Sequence, residues 1–182
     1  EDMFYIGWLM FFGIHAGMLV PALKRPLASR LGESGYKGVY SLISVAGLVL
    51  LIYGYERGVF FDVQSPLWVR ETSTIWMFFA WLFMVSANVA GLIRKTTRHP
   101  MTIGLLIWGL GHAVMNPHAH AWLIFLGFSL FAVASAVTAT RRGKAPSRQG
   151  LISMDLVAVV IAAVATSLSF YFHEWIAGVA LI

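Results

Sequence analysis

Six apolar segments, separated by short polar ones, constrain what this chain can fold into more than any other feature. A helix needs roughly 20 apolar residues to cross a bilayer. Of the 182 residues, 59% are hydrophobic and only 12% are charged, which excludes an ordinary soluble domain. We predict an all-α polytopic membrane helix bundle, a single transmembrane domain over residues 1–182. Its six transmembrane helices are predicted at residues 3–23, 38–55, 72–93, 100–115, 119–139 and 155–176.

The basic residues are distributed unevenly among the connecting segments. Of the 13 Lys and Arg residues, 11 follow the first, third and fifth spans, whereas Arg57 and Arg70 follow the second. Because Lys and Arg concentrate in cytoplasmic loops, this predicts that both termini lie on the non-cytoplasmic side. The net charge of +5 is therefore interpreted as an orientation signal and not as a nucleic-acid-binding surface. The 11 residues are Lys24, Arg25, Arg30, Lys37, Arg94, Lys95, Arg98, Arg141, Arg142, Lys144 and Arg148.

Three local features carry further predictions. Pro26 is well placed in a first helical turn, so residues 26–31 are predicted to form a short interfacial helix. Asn88 lies inside the third span and is predicted to hydrogen-bond between helices. Asp155 is predicted to cap the sixth span.

Histidine carries the ligand chemistry that this sequence retains. The chain has no cysteine, which excludes disulfides, thiolate metal sites and cysteine nucleophiles. It also has no serine-nucleophile motif, no phosphate-binding glycine loop and no carboxylate-rich metal site. Ionisable residues at membrane depth indicate functional sites, and two of the six histidines lie there.

His15 and His112 are predicted to lie at similar depth on two different helices. Counting from the cytoplasmic ends of their spans puts His15 about 12 Å deep and His112 about 18 Å deep. Two histidines so arranged suit axial ligation of a haem between the helices, which makes both candidate iron ligands.

Small residues flank both histidines, as in Gly13-Ile-His15 and Gly109-Leu-Gly111-His112. One interpretation is clearance for a flat macrocycle, which would make Gly109 and Gly111 part of the cofactor site. The other is close helix packing through small residues, in which each histidine only hydrogen-bonds between helices.

The Arg98-His99-Pro100 corner lies at the predicted cytoplasmic start of the fourth span. A helix start favours anionic groups, so Arg98 and His99 are candidates for binding an anion or a haem propionate. The alternative is a helix cap beside an orientation charge.

Three further histidines fall at the opposite side of the membrane. His118 and His120 lie in the turn before the fifth span, and His173 lies near the far end of the sixth. They are predicted to be a solvated turn and an interfacial polar residue, with a second metal site as the alternative.

Several spaced motifs extend over nearly the whole chain: Gly13-Ile-His15, Arg30-Leu-Gly-Glu33, Tyr36-Lys-Gly38, Tyr40-Ser-Leu-Ile-Ser44, Arg98-His99-Pro100, Trp108-x-x-x-His112 and Phe172-His173-x-Trp175-Ile-x-Gly178. Together they resemble the NnrU family. That family is bacterial and is associated with denitrification and nitric oxide metabolism.

The NnrU family is similar to plant and cyanobacterial 15-cis-zeta-carotene isomerase, a haem b membrane enzyme. That resemblance implies haem ligation by the histidines at positions 15 and 112. The isomerase has a cysteine three residues before its second histidine, where this chain has Gly109. The substitution removes a thiolate ligand and puts the isomerase chemistry in doubt.

These observations predict a haem b protein of a bacterial inner membrane, with His15 and His112 as axial ligands. Its predicted role is redox or nitric-oxide-linked metabolism, or isomerase-like chemistry on a lipid polyene. Its expected partners are membrane lipids and either a small apolar substrate or a redox partner. The alternatives are a non-catalytic membrane subunit and an S-adenosylmethionine-dependent membrane methyltransferase, since such methyltransferases also carry an Arg-His-Pro corner.

Overall fold

The computed structural model describes residues 2–56, 58–143 and 150–178, and helices dominate these ranges. An isolated antiparallel bridge joins Phe60 to His118. Three of the 13 Lys and Arg residues lie outside the described residues: Arg57, Lys144 and Arg148. The helices are α1 Asp2–Leu19, α2 Pro21–Tyr53, α3 Leu67–Glu71, α4 Ser73–Ser86, α5 Leu92–Thr97, α6 Pro100–Met115, α7 Ala119–Arg141, α8 Ile152–Tyr171 and α9 His173–Ala177.

Four of the described helices, α1, α2, α7 and α8, are long and apolar enough to cross a membrane, which confirms the predicted helical membrane architecture. Two more apolar helices are shorter: α4 has 14 residues and α6 has 16. At 1.5 Å per residue they span about 21 and 24 Å. The larger helices pack in the order α2, α1, α7, α6, α4, α8.

Helices α1 and α2 pack closely because glycines line their contact. A Cβ atom at Gly7 would lie 2.8 Å from the Gly47 carbonyl oxygen, and one at Gly47 would lie 2.7 Å from the Phe11 nitrogen. Gly54 packs in the same way against Phe4. This contact buries Phe4, which belongs to an apolar cluster that packs against α7.

The second helix begins earlier than predicted. The chain is helical from Pro21 and not from Pro26, so the short basic helix is longer than residues 26–31. Gly32 then interrupts the helix with φ 72° and ψ 163°. Glycine adopts this conformation without steric cost, so it separates the basic segment from the apolar one.

The predicted third span, residues 72–93, is wrong in length because α4 ends at Ser86. The Asn88 side chain donates to the Met84 carbonyl of the same chain segment, and not to another helix as predicted. Extended backbone at Gly91 then leads into α5.

Asp155 does not cap its own helix, which contradicts the prediction. Leu151 is the residue before α8, and the Asp155 carboxylate accepts hydrogen bonds from the backbone N–H groups of Leu92, at 2.8 Å, and Ile93, at 3.2 Å. The first N–H groups of a helix lack partners within it. Asp155 therefore provides hydrogen-bond acceptors for the first N–H groups of α5 and fixes this short basic helix against α8.

Among the described residues, five basic ones lie at the same end of the bundle: Lys24, Arg25, Arg94, Arg98 and Arg142. The Arg142 side chain donates to the Leu19 carbonyl at 2.6 Å, which joins the ends of α7 and α1. The start of α6 lies at the same end, because His99 is hydrogen-bonded to Thr140.

Candidate functional site

His15 lies in the last part of α1 and is half-buried. Its Nδ1 atom is 2.6 Å from the Phe11 carbonyl oxygen, one helical turn back. Since a carbonyl only accepts, Nδ1 carries the proton and donates it. The ring contacts Phe11, Tyr40 of α2 and Phe131 of α7, at centroid distances of 4.4, 5.3 and 5.4 Å.

His112 lies near the end of α6 and repeats this arrangement. Its Nδ1 atom donates to the Trp108 carbonyl oxygen at 2.8 Å. The ring contacts Phe125 of α7 at 4.8 Å, Trp108 at 5.1 Å and Trp76 of α4 at 5.6 Å.

The Nε2 atoms of these two histidines have no hydrogen-bond partner among the described residues. A neutral imidazole whose Nδ1–H donates to a backbone carbonyl presents a lone pair at Nε2. Metal-ligating histidines typically have their second nitrogen fixed in this way. The donor chemistry of both residues therefore fits an axial ligand to haem iron.

The two histidine rings pack against different parts of α7. His15 contacts Phe131 and His112 contacts Phe125. These phenylalanines are six residues apart on α7, or about 9 Å along its axis. Because α1 ends at Leu19, His15 lies nearer the basic end of the bundle than counting from Leu23 indicated.

Three aromatic rings link the two histidines. Phe128 contacts Phe11, the neighbour of His15, and Trp108, the neighbour of His112, each at 5.5 Å. The Phe128 ring therefore lies between the aromatic neighbours of the two histidines.

The predicted clearance at Gly109 and Gly111 is not present. A Cβ atom at Gly109 would meet the Ser129 side chain and would lie 2.7 Å from the Phe125 carbonyl oxygen. At Gly111, the nearest Trp76 ring atom would be 2.7 Å away. These two glycines serve close helix packing in the structure. In contrast, the space beside Gly13 and Gly17 on α1 is open.

The Arg98-His99 corner lies beside a cavity of about 320 Å³ between α5, the start of α6 and the end of α7. Arg98 has φ 60° and ψ −41°, an uncommon conformation for a residue other than glycine. His99 precedes α6, but its side chain contacts Thr140 at 2.8 Å instead of capping the helix. Phe131 lines the cavity and also contacts His15, so the cavity and the His15 ring share a wall.

Sequence reasoning missed Arg94 as a lining residue of this cavity. In the sequence, Arg94 belongs to a basic cluster that indicates only membrane orientation. Its place on the cavity wall depends on the contact of Asp155 with the start of α5, which no local pattern indicates.

His118 and His120 are buried, with 5% and 1% of their surface exposed, so the predicted solvated turn is wrong. The His120 ring stacks on Phe4 at 4.0 Å, and its nitrogens are hydrogen-bonded to the Glu56 carbonyl and the Tyr5 hydroxyl. The Nδ1 atom of His118 accepts from the Ala121 backbone N–H. His173 begins α9, and the described part of the chain contains no group of three His, Asp or Glu residues able to hold a metal.

Because His120 joins α1, the loop after α2 and α7, we expect His120→Ala to lower the free energy of unfolding by about 3 kcal/mol. Equilibrium unfolding of the detergent-solubilised protein, followed by far-UV circular dichroism, measures this. The matched control is His99→Ala, which removes one partly exposed hydrogen bond and should cost no more than about 1 kcal/mol. Equal stability of the two variants would contradict the structural role of His120.

Four helices long and apolar enough to cross a membrane define a polytopic helical membrane protein. The chain belongs to the NnrU family: the family model described as NnrU protein matches residues 3–181. No curated protein and no solved structure matches it.

Proposed function

We propose that this NnrU-family protein binds haem b in a bacterial inner membrane, with His15 and His112 as axial ligands and Arg98 and His99 supporting the basic side of the site. One observation carries the proposal. Both histidines donate Nδ1–H to the carbonyl one turn back and leave Nε2 without a partner among the described residues. Histidines that only join helices would be expected to use both nitrogens, as His120 does.

The surroundings of His15 support the same assignment. Phe131 contacts the His15 ring and also lines the cavity at Arg98 and His99. The apolar macrocycle of a haem suits aromatic walls, whereas its propionates suit a guanidinium.

When bound, haem supplies one-electron chemistry, and two axial histidines favour electron transfer or redox sensing over substrate binding at the iron. We therefore place the protein in redox or nitric-oxide-linked metabolism. Since position 109 is glycine and the chain lacks cysteine, a thiolate ligand cannot take part in polyene isomerisation here.

We further propose that α4 and α6 also cross the membrane, which gives six crossings and puts both termini on the non-cytoplasmic side. The support is the basic end of the bundle, where the ends of α1 and α7 and the start of α6 meet. The excess of Lys and Arg at this end is typical of a cytoplasmic face.

A non-catalytic membrane subunit is the second candidate. The contacts that favour it are those of Phe128, whose ring lies between the aromatic neighbours of the two histidines, and the tight packing at Gly109 and Gly111. In that case the histidines would stabilise the bundle without binding a cofactor.

An absorption spectrum of the protein purified after haem-replete expression separates the two candidates. We expect a Soret band with one haem per chain and a low-spin spectrum in the reduced state. Protein without a Soret band would contradict haem binding, and a high-spin, five-coordinate spectrum would contradict ligation by both histidines.

A further inference from the structure

The cavity beside the Arg98-His99 corner has two arginines on its wall, Arg94 from α5 and Arg98 from the turn after it. Arg94 is half-buried, and Arg98 is exposed. At about 320 Å³, the cavity falls within the range of small-molecule sites, roughly 300–1,000 Å³.

Neither guanidinium has a hydrogen bond or a carboxylate partner within residues 2–56, 58–143 and 150–178. The acid that contacts α5 is Asp155, but its carboxylate accepts hydrogen bonds from the α5 backbone. Arginine binds carboxylates and phosphates in a fixed two-pronged geometry, so an anionic group suits both side chains.

The rest of the cavity wall is mainly apolar. Leu105 of α6 and Phe131 of α7 line it, together with three α7 alanines at positions 132, 136 and 139. The small alanine side chains leave room along α7 for a hydrocarbon surface. A ligand that fits this lining is charged at one end and apolar over the remainder.

Arg94 lies on a helix that other parts of the chain support. Besides the two hydrogen bonds from Asp155, the backbone N–H of Leu151 donates to the Ala90 carbonyl at 2.9 Å, just before α5. These contacts fix a six-residue helix that would not be stable alone. The backbone that carries Arg94 is thus held in place before any ligand arrives.

We propose that this cavity binds the anionic head of an amphiphile, a carboxylate or a phosphate, with Arg94 and Arg98 as its ligands and the apolar body lying along Phe131 and the α7 alanines. Two sources carry this chemistry in a membrane: a haem propionate and the phosphate of an anionic phospholipid. The first rests on the proposed function, whereas the second is independent of haem binding.

The test uses the full-length delipidated protein and the double variant Arg94→Gln/Arg98→Gln. In the lipid arm, native mass spectrometry measures bound phosphatidylglycerol against phosphatidylcholine with the same acyl chains. In the haem arm, titration compares haemin with its dimethyl ester, whose propionates carry no charge. Lys95→Gln is the matched control, because it removes a neighbouring charge from α5 that does not line the cavity.

A phospholipid site predicts that the double variant loses phosphatidylglycerol binding by about tenfold or more and retains the haemin preference, since a charge-assisted contact of this kind changes binding on that scale. A propionate site predicts that the preference for haemin over its ester is lost and lipid binding is unchanged. Lys95→Gln should behave like the wild type in both arms.

Ala136→Phe provides a second, charge-neutral variant that fills the cavity, and it should reduce the same binding as the double variant. If wild type and both variants are indistinguishable in both arms, the proposal is overturned. If the double variant loses phosphatidylglycerol binding but keeps the preference for haemin over its ester, the cavity binds phospholipid. That result contradicts only the haem propionate as the source of the anionic group.

Discussion

Replacing His15 or His112 with alanine is expected to abolish the low-spin spectrum that the proposed haem would give the purified protein. Each imidazole has one nitrogen fixed by the backbone carbonyl one turn back, so the other nitrogen is available to an iron atom. Losing one of two axial ligands leaves iron five-coordinate or releases the haem. We expect at least a tenfold fall in low-spin absorbance per protein for either variant, measured after equal haem loading.

The matched control for this experiment is His120→Ala. It also removes a histidine in contact with aromatic rings, but both its nitrogens are used by the protein. Its haem spectrum should match the wild type at temperatures where it is folded. After unbound haem has been removed by gel filtration, added imidazole should restore low-spin absorbance to the His15 and His112 variants, which a defect that releases the haem would not allow. A wild-type spectrum in either of these two variants would remove that residue from the ligand set.

The glycine contact between α1 and α2 predicts a large change in stability. A Cβ atom at Gly7 would lie 2.8 Å from the Gly47 carbonyl oxygen and would also meet the Leu51 backbone nitrogen. Backbone atoms cannot rotate away as a side chain can, so Gly7→Ala must separate the two helices. We expect a loss of about 3 kcal/mol in the free energy of unfolding, near the upper end for overpacked cores. Equilibrium unfolding in detergent measures it.

Gly13→Ala makes the same chemical change on the same helix, where nothing lies within 4 Å of the added Cβ atom. It should leave stability unchanged or raise it slightly, because alanine favours a helix over glycine. If Gly7→Ala and Gly13→Ala unfold alike, the close contact between α1 and α2 is not present in solution.

Local signals predicted some helix ends and failed at others. The start of α6 at Pro100 and its end before Asn116 follow from residues adjacent in the sequence, and the structure confirms both. The end of α4 could not be predicted in this way, because apolar residues continue past Ser86 while the chain turns. The next helix, α5, is fixed by Asp155, which lies more than 60 residues further along the chain.

In the candidate site, too, local signals predict some features, and contacts between distant residues set the others. The sequence singles out His15 and His112 as candidates because both lie inside apolar segments, and it singles out the Arg98-His99 corner because it begins the fourth of these segments. The burial of His120 depends on Tyr5 and Glu56, which are far away in sequence. Similarly, the use of Gly109 and Gly111 in packing depends on Ser129 and Trp76. Such contacts leave no periodic pattern.

The two short apolar helices have a consequence for the surrounding bilayer. Helices α4 and α6 pack on each other, and at about 21 and 24 Å they are shorter than a hydrocarbon layer of about 30 Å. Their neighbours α7 and α8 have 23 and 20 residues and match that thickness. If all of them cross, hydrophobic mismatch is confined to one sector of the protein's circumference. Lipids would thin locally against α4 and α6, so the protein should favour thinner membranes and deform them asymmetrically.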